Sequence, residues 1–202
     1  MIFITSPAKT LDFDTTWESQ QETNPIFQSE SDELAQKISK LSESKLQNFL
    51  NVSEKLAKLN YDRYENWDSA EEKPAILAYK GDVYQQFDAK EFSKTEQEYA
   101  QSHLRILSGL YGVLRPYDLI KPYRLEMSTK LDYLKSLNSE TLYDFWSGSK
   151  SLSDVLLEKL EDFPKTSRFI INLASNEYVK ALDKDKFEGK WIDIEFRQIK
   201  DG

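Results

Sequence analysis

The sequence predicts an α+β fold, a compact single domain with a mixed sheet surrounded by helices. Three observations lead there. Short apolar runs with β-branched members stop abruptly in polar residues, as buried strands do. Between them lie stretches whose apolar residues recur every three or four positions, the period of amphipathic helices. The chain has 202 residues, 39 % of them hydrophobic, enough to bury a sizeable core while staying within the size of one domain.

The elements follow in order. Ile2, Phe3, Ile4 and Thr5 form a first buried strand that breaks at Ser6-Pro7 into a loop bearing Lys9, Thr10 and Asp12. Over residues 29–66, Leu34, Ile38, Leu41, Leu46, Phe49, Leu50, Leu56 and Leu59 recur at helical spacing, with Ser and Asn at the caps. Residues 74–79, Pro-Ala-Ile-Leu-Ala-Tyr, read as a second buried strand that ends at Lys80-Gly81-Asp82. Ser93-Lys94-Thr95-Glu96 has the form of a capping box, which predicts a helix through Tyr99, His103 and Leu107 to a stop near Gly109. Residues 141–163 have a helical period, and residues 168–173 read as a third buried strand that ends at Ser175 and Asn176. Trp191, Ile192, Ile194 and Phe196 look like a late strand, and Asp201-Gly202 is a hairpin dipeptide with no partner strand after it. That pattern predicts an exposed edge over residues 191–199 and a single domain, residues 1–202, lacking its C-terminal segment.

Composition narrows the chemistry. No cysteine is present, which excludes disulfides, thiol catalysis and thiolate metal sites, and the single histidine, His103, excludes a multi-histidine cage. No metal and no cofactor is implied. The N-terminus has neither the basic flank nor the apolar run of a signal peptide, and no segment approaches the roughly 18 apolar residues of a spanning helix, so a cytoplasmic protein with no membrane partner is expected. The net charge of −8 keeps such a protein soluble and argues against a polycation that coats nucleic acid. Any nucleic-acid site must be local.

Four stretches carry candidate chemistry. In Ser6-Pro7-Ala8-Lys9-Thr10-Leu11-Asp12, Lys9 is either a phosphate contact or a solvated lysine on a turn. In Lys80-Gly81-Asp82-Val83-Tyr84, glycine permits close backbone approach, and the flanking charges hold a ligand or merely each other. The richest stretch is HLRILSGLYGVLRPYDLIKPYRLE, residues 103–126, where Arg105, Arg115, Lys121 and Arg124 outnumber Asp118 and Glu126. Gly109 and Gly112 suggest a helix-hairpin-helix-like element whose backbone N–H groups reach a DNA phosphate; structural caps and turns are the alternative. In Asn172-Leu173-Ala174-Ser175-Asn176-Glu177-Tyr178, an amide, a hydroxyl and a carboxylate suit base or sugar contacts, or the stretch simply caps a helix. His103 reads as packed rather than as a general base, and Tyr143, Phe145 and Trp146 as core rather than a base-stacking platform.

Taken together, SPAKTLD, YKGDVY, LRILSGLYGVLRPYDLIKPYRLEM and NLASNEY resemble the bacterial peroxide stress protein YaaA family, and the likeness runs along the whole chain. The resemblance implies a compact α+β fold with a helix-hairpin-helix-like element, binding of double-stranded DNA through a basic cleft, and limitation of iron-linked oxidative damage. It also implies a further strand and a basic segment beyond residue 202. The expectation is a DNA-binding protein with Lys9, Lys80, Arg105, Arg115, Lys121 and Arg124 on phosphates, Gly109 and Gly112 at the backbone approach, and Asn172 and Ser175 on bases or sugars. The rival is an enzyme acting on a nucleotide, a nucleobase or damaged DNA, with Asp12, Asp82 and Glu126 as candidate acids. Both readings require the strand exits and residues 109–124 to line one cleft.

Overall fold

The polypeptide is described by a computed structural model over residues 1–18, 21–148, 151–188 and 190–195. Its central strand is β1 (Ile2–Thr5), which pairs in parallel on both sides, Phe3 lying opposite Leu104 of β3 (Leu104–Ser108) and opposite Ile171 of β6 (Ile170–Asn172). With β4 (Gly112–Leu114) antiparallel to β3, and β7 (Trp191–Asp193) parallel to β6, the order is β4-β3-β1-β6-β7. Strands at the centre of a parallel sheet are covered on both faces, hence their near-continuous apolar sequence and the full burial of Ile2, Ile4, Ile106 and Ile170.

The helices before β3 build much of the core. α1 (Gln28–Ile38) buries Leu34, Ala35 and Ile38; α2 (Glu43–Leu50) buries Leu46, Phe49 and Leu50; α3 (Glu54–Glu65) buries Ala57, Asn60 and Tyr64. Leu59, expected in this core, is 45 % exposed, because the buried stripe of α3 runs through Ala57, Asn60 and Tyr64 and Leu59 stands one position, about 100°, off it. The residues 141–163 divide into α7 (Leu142–Trp146) and α8 (Leu152–Glu161), each opened by a capping box, Thr141 with Asp144 and Ser151 with Asp154.

Three local expectations are corrected. Residues 74–79 are not a strand: β2 (Lys73–Pro74), paired with β5 (Leu119–Ile120), leads at once into a single buried turn, α4 (Ala75–Ala78). All four residues of that turn are buried, so no periodicity distinguishes it from a strand. The helix opened by the Ser93–Glu96 capping box, α6 (Lys94–His103), stops at His103 instead of running to Gly109, because Leu104 to Ser108 are claimed by the sheet. Consequently residues 104–114 form a β-hairpin, not a helix-hairpin-helix, with Ser108 opposite Gly112. Gly112 adopts φ +68° at the turn, and a Cβ there would meet Leu152, Phe27 and Trp146.

His103 is packed as expected: it stacks on Tyr99 and its Nδ1 hydrogen-bonds the Met1 carbonyl oxygen at 2.8 Å. Trp146 is buried and donates its indole N–H to the Gly109 carbonyl, while Tyr143 and Phe145 pack against the same core. Among the described residues β7 is the last strand of its side of the sheet, with Ile192 and Ile194 exposed; the rest of the expected edge, from Phe196 on, lies outside them. No helix is long and apolar enough to cross a membrane among the described residues.

Candidate functional site

From β1 the chain proceeds to β3 on one side, whereas from β6, on the other side of β1, it proceeds to β7. Loops that leave neighbouring parallel strands in opposite directions open a crevice at the carboxyl ends of those strands, the place where open sheets of this kind hold ligands. Here that crevice is a cleft of about 1200 Å³ lined by residues following β1, α4 and β6.

Backbone pairing brings these loops together. Asp12 donates its N–H to the Ala78 carbonyl at 2.8 Å, and Lys80 donates to that of Thr10 at 2.9 Å, tying the loop after β1 to the entry of α5 (Asp82–Phe87). A Cβ on Gly81 would stand 3.2 Å from that of Ala8, so glycine lets the two loops lie against each other. Tyr84 of α5 donates its hydroxyl to the Ser6 carbonyl at 2.7 Å. On the other flank, Ser175, the cap of α9 (Asn176–Val179), donates its N–H to Ser6 Oγ at 2.9 Å, and Leu173 donates to the Ile4 carbonyl. Ser6 is therefore the hub of three segments.

Lys73 supports the loop from beneath. Its fully buried ammonium donates to the carbonyls of Asp12 and Thr15, at 2.8 and 3.0 Å, and to the Thr15 hydroxyl. Burial pushes the Lys73 pKa down, against the pull of Asp12. For Asp12, burial pulls upward, but the Thr15 backbone N–H and the Lys73 and Lys80 ammonium groups outweigh it and hold the carboxyl below its ordinary value. Asp12 is thus a charged acceptor at neutral pH.

Of the expected site residues, Lys9, Lys80, Asp82, Asn172 and Ser175 line the cleft. Asp12 lies behind Lys80, their charged atoms 3.6 Å apart. Lys9 also borders a small recess with Arg124 and Glu126, whose Oε1 is 3.8 Å from the Lys9 ammonium and 3.3 Å from the Arg124 guanidinium. Tyr178 of α9 donates to Glu126 Oε2 at 3.2 Å; burial first, then the Glu126 charge, drives its phenol pKa far upward, so it remains a donor. Asn172 is occupied internally, donating to Asp193 and accepting the Ala174 N–H, whereas the exposed Ser175 hydroxyl accepts from Ser6 Oγ at 3.3 Å and keeps its own proton to donate.

The remaining expected contacts are elsewhere and otherwise engaged. Arg115 donates to Asp118 and to the Asn24 carbonyl, and Lys121 donates to the Trp67 carbonyl. Arg105 is buried and donates to the carbonyls of Gln101 and Leu104. Gly109 and Gly112 are buried within the hairpin, where Gly109 packs against the backbone at Leu125 and Glu126, so their N–H groups are not presented at a surface. Sequence reasoning missed Lys73, Tyr84, Tyr178, Lys184 and Asp193; of these only Tyr84 and Tyr178 lay in motifs already singled out.

Fold and site define an α+β domain with a mixed, mainly parallel sheet and an open, mixed-charge cleft across its strand ends. The chain belongs to the peroxide stress protein YaaA family, whose description matches residues 1–202. It is similar to proteins named UPF0246 from Shewanella baltica, 43 % identical over 208 residues, and Crocosphaera subtropica, 41 % identical over 202 residues. A third, from Francisella philomiragia, is 36 % identical over 209 residues. In each case all of this chain is aligned, to 77–78 % of the relative's length.

Proposed function

We propose that the strand-end cleft binds a phosphate-bearing nucleotide unit of DNA, and that this contact is the chain's part in the peroxide response of its family. The carrying observation is the state of Lys9 and Lys80. Both ammonium groups stand at the cleft, 66 % and 51 % exposed, and each faces a carboxylate only at 3.6–3.8 Å. The carboxylates are mostly buried, but Asp12 keeps the Thr15 N–H and Glu126 keeps Arg124 and Tyr178, so a phosphate with closer, charge-assisted hydrogen bonds draws the two lysines away at small cost. The Ser175 hydroxyl is placed for a sugar or base edge.

Contact through two lysines also suits a chain of net charge −8, which repels DNA except where cations are concentrated. The test is a salt-series titration with a short duplex. Two neutralised phosphates give a slope of log affinity against log salt of about −2, whereas contact through all six basic residues named from the sequence gives about −5. Absence of salt dependence rejects phosphate contact.

Catalysis on a nucleotide, nucleobase or damaged DNA is the second reading, favoured by one observation: Asp12 and Glu126 each lie beside an ammonium group at the cleft's margin. Mass spectrometry of treated nucleotides and damaged duplexes tests it. A product whose formation slows about a hundredfold in Asp12→Asn or Glu126→Gln supports an enzyme; no product from any of them rejects it.

A further inference from the structure

Away from the cleft, a recess of about 520 Å³ is walled by Arg105 of β3, Arg115 after β4, and Lys159 of α8, with Ile26, Gln101, Ser102 and Val155 between them. Arg105 is the unusual member. It is 3 % exposed, and no carboxylate lies within 4.0 Å of its guanidinium among the described residues. Nη1 donates to two carbonyl oxygens, Nη2 makes no hydrogen bond among the described residues, and Nε is buried without a partner.

Asp118 and Asp162 act on this guanidinium only through space, each being paired with another cation, and native structures rarely leave a buried donor such as its Nε unsatisfied. Burial, and next the neighbouring Arg115 charge, push the Arg105 pKa down to about 10, which still leaves it protonated at neutral pH. The other two cations have partners. Arg115 holds Asp118, which is itself fully buried, and Lys159 holds the exposed Asp162 at 2.7 Å. Glu158, which is itself engaged, and Asp162 complete the rim.

We infer that this recess is a second anion site, which takes the phosphate group of a small phosphomonoester on Arg105, with Arg115 and Lys159 at its sides and the ester's carbon skeleton against Ile26 and Val155. A planar guanidinium with unspent donors matches the oxygens of a phosphate, and Lys159 turns from Asp162 to the ligand without leaving an unpaired buried charge, because Asp162 is in solvent. The apolar wall gives an ester an advantage over the free ion.

The test is calorimetric titration of the Lys9→Ala/Lys80→Ala double variant, in which the cleft is disabled, with inorganic phosphate and with glycerol 3-phosphate. Saturable one-to-one binding of the ester, tighter than that of inorganic phosphate, is expected. Arg105→Met should abolish it, while Lys159→Gln, a change at the more exposed rim that spares the fold if the buried one does not, and Arg115→Gln, read beside its own loss of stability from the buried Asp118, should each weaken it about tenfold. Absence of binding in the double variant, or affinity unchanged in both rim variants, overturns the inference. Equal affinity for the two anions overturns the role of the apolar wall. Because the cleft lysines are absent throughout, failure here leaves the cleft reading standing, and failure of the cleft reading leaves this site.

Discussion

Ser6 Oγ accepts the backbone N–H of Ser175 at 2.9 Å, joining the carboxyl ends of β1 and β6 across 169 positions of sequence. The same residue's carbonyl accepts the Tyr84 hydroxyl, so one serine fixes three walls of the cleft relative to one another. Ser6→Ala removes the first bond and keeps the second. It should lower stability by about 1 kcal/mol in urea unfolding and weaken duplex binding more than that loss of fold alone accounts for. Unchanged stability and affinity would separate Ser6 from the architecture of the cleft.

Lys73 makes a second, harsher test of the same frame. Lys73→Met retains the bulk of the stem but leaves the Asp12 and Thr15 carbonyls without their shared donor. A loss of about 2 kcal/mol is expected, together with faster proteolysis after β1, since the loop is otherwise held mainly by its pairing to residues 78–80. Proteolysis at the parental rate contradicts the supporting role.

Gly112 separates the hairpin from the ligand question. At φ +68°, with Leu152 Cδ2 2.8 Å from where a Cβ would stand, Gly112→Ala should cost roughly 3 kcal/mol through backbone strain and overpacking. The measurement is the midpoint of thermal or urea unfolding; a neutral effect would argue against the β-hairpin.

Much of the scaffold was legible in the sequence because strong local signals govern it. The apolar run after Met1, the capping box at Ser93 and the polar strand exits needed no tertiary information. Residues 74–79 and 104–108 were misread because a segment buried all round has no periodic signature, and only sheet pairing decides its state. The strand exits do meet, but five of the basic and glycine positions do not join them, Arg105, Arg115, Lys121, Gly109 and Gly112. Charge count along a sequence does not say which cations the fold spends on its own carbonyls and carboxylates. Lys73 was invisible for the same reason: a lysine between glutamates and a proline reads as surface, and only the folded loop makes it a buried donor.

Acid sensitivity should be located at α8. Asp154 caps its first turn and pairs with Lys186; the Lys186 hydrogen bond first, then the Ser151 hydroxyl, depress its pKa to about 2. A depressed carboxyl contributes stability that is complete above its ordinary value near 3.8 and is lost as pH falls through the folded value near 2. Asp154→Asn should therefore flatten part of the fall in stability between those two pH values, and should cost less at pH 2 than at pH 7. Equal cost at both pH values would assign the residue a purely steric role.

In the proposed function Lys9 and Lys80, at the strand-end cleft, carry contact with nucleic-acid phosphate while the cations of the hairpin region do not. Duplex affinity at fixed, moderate salt, measured for the parent, Lys9→Ala, Lys80→Ala and Arg115→Ala, tests it most directly. Each cleft variant should lose about tenfold in affinity and shift the salt slope by about one unit, with Arg115→Ala within about twofold of the parent once its loss of stability is allowed for. The contradicting result is the reverse: a large loss in Arg115→Ala, with Lys9→Ala and Lys80→Ala binding like the parent.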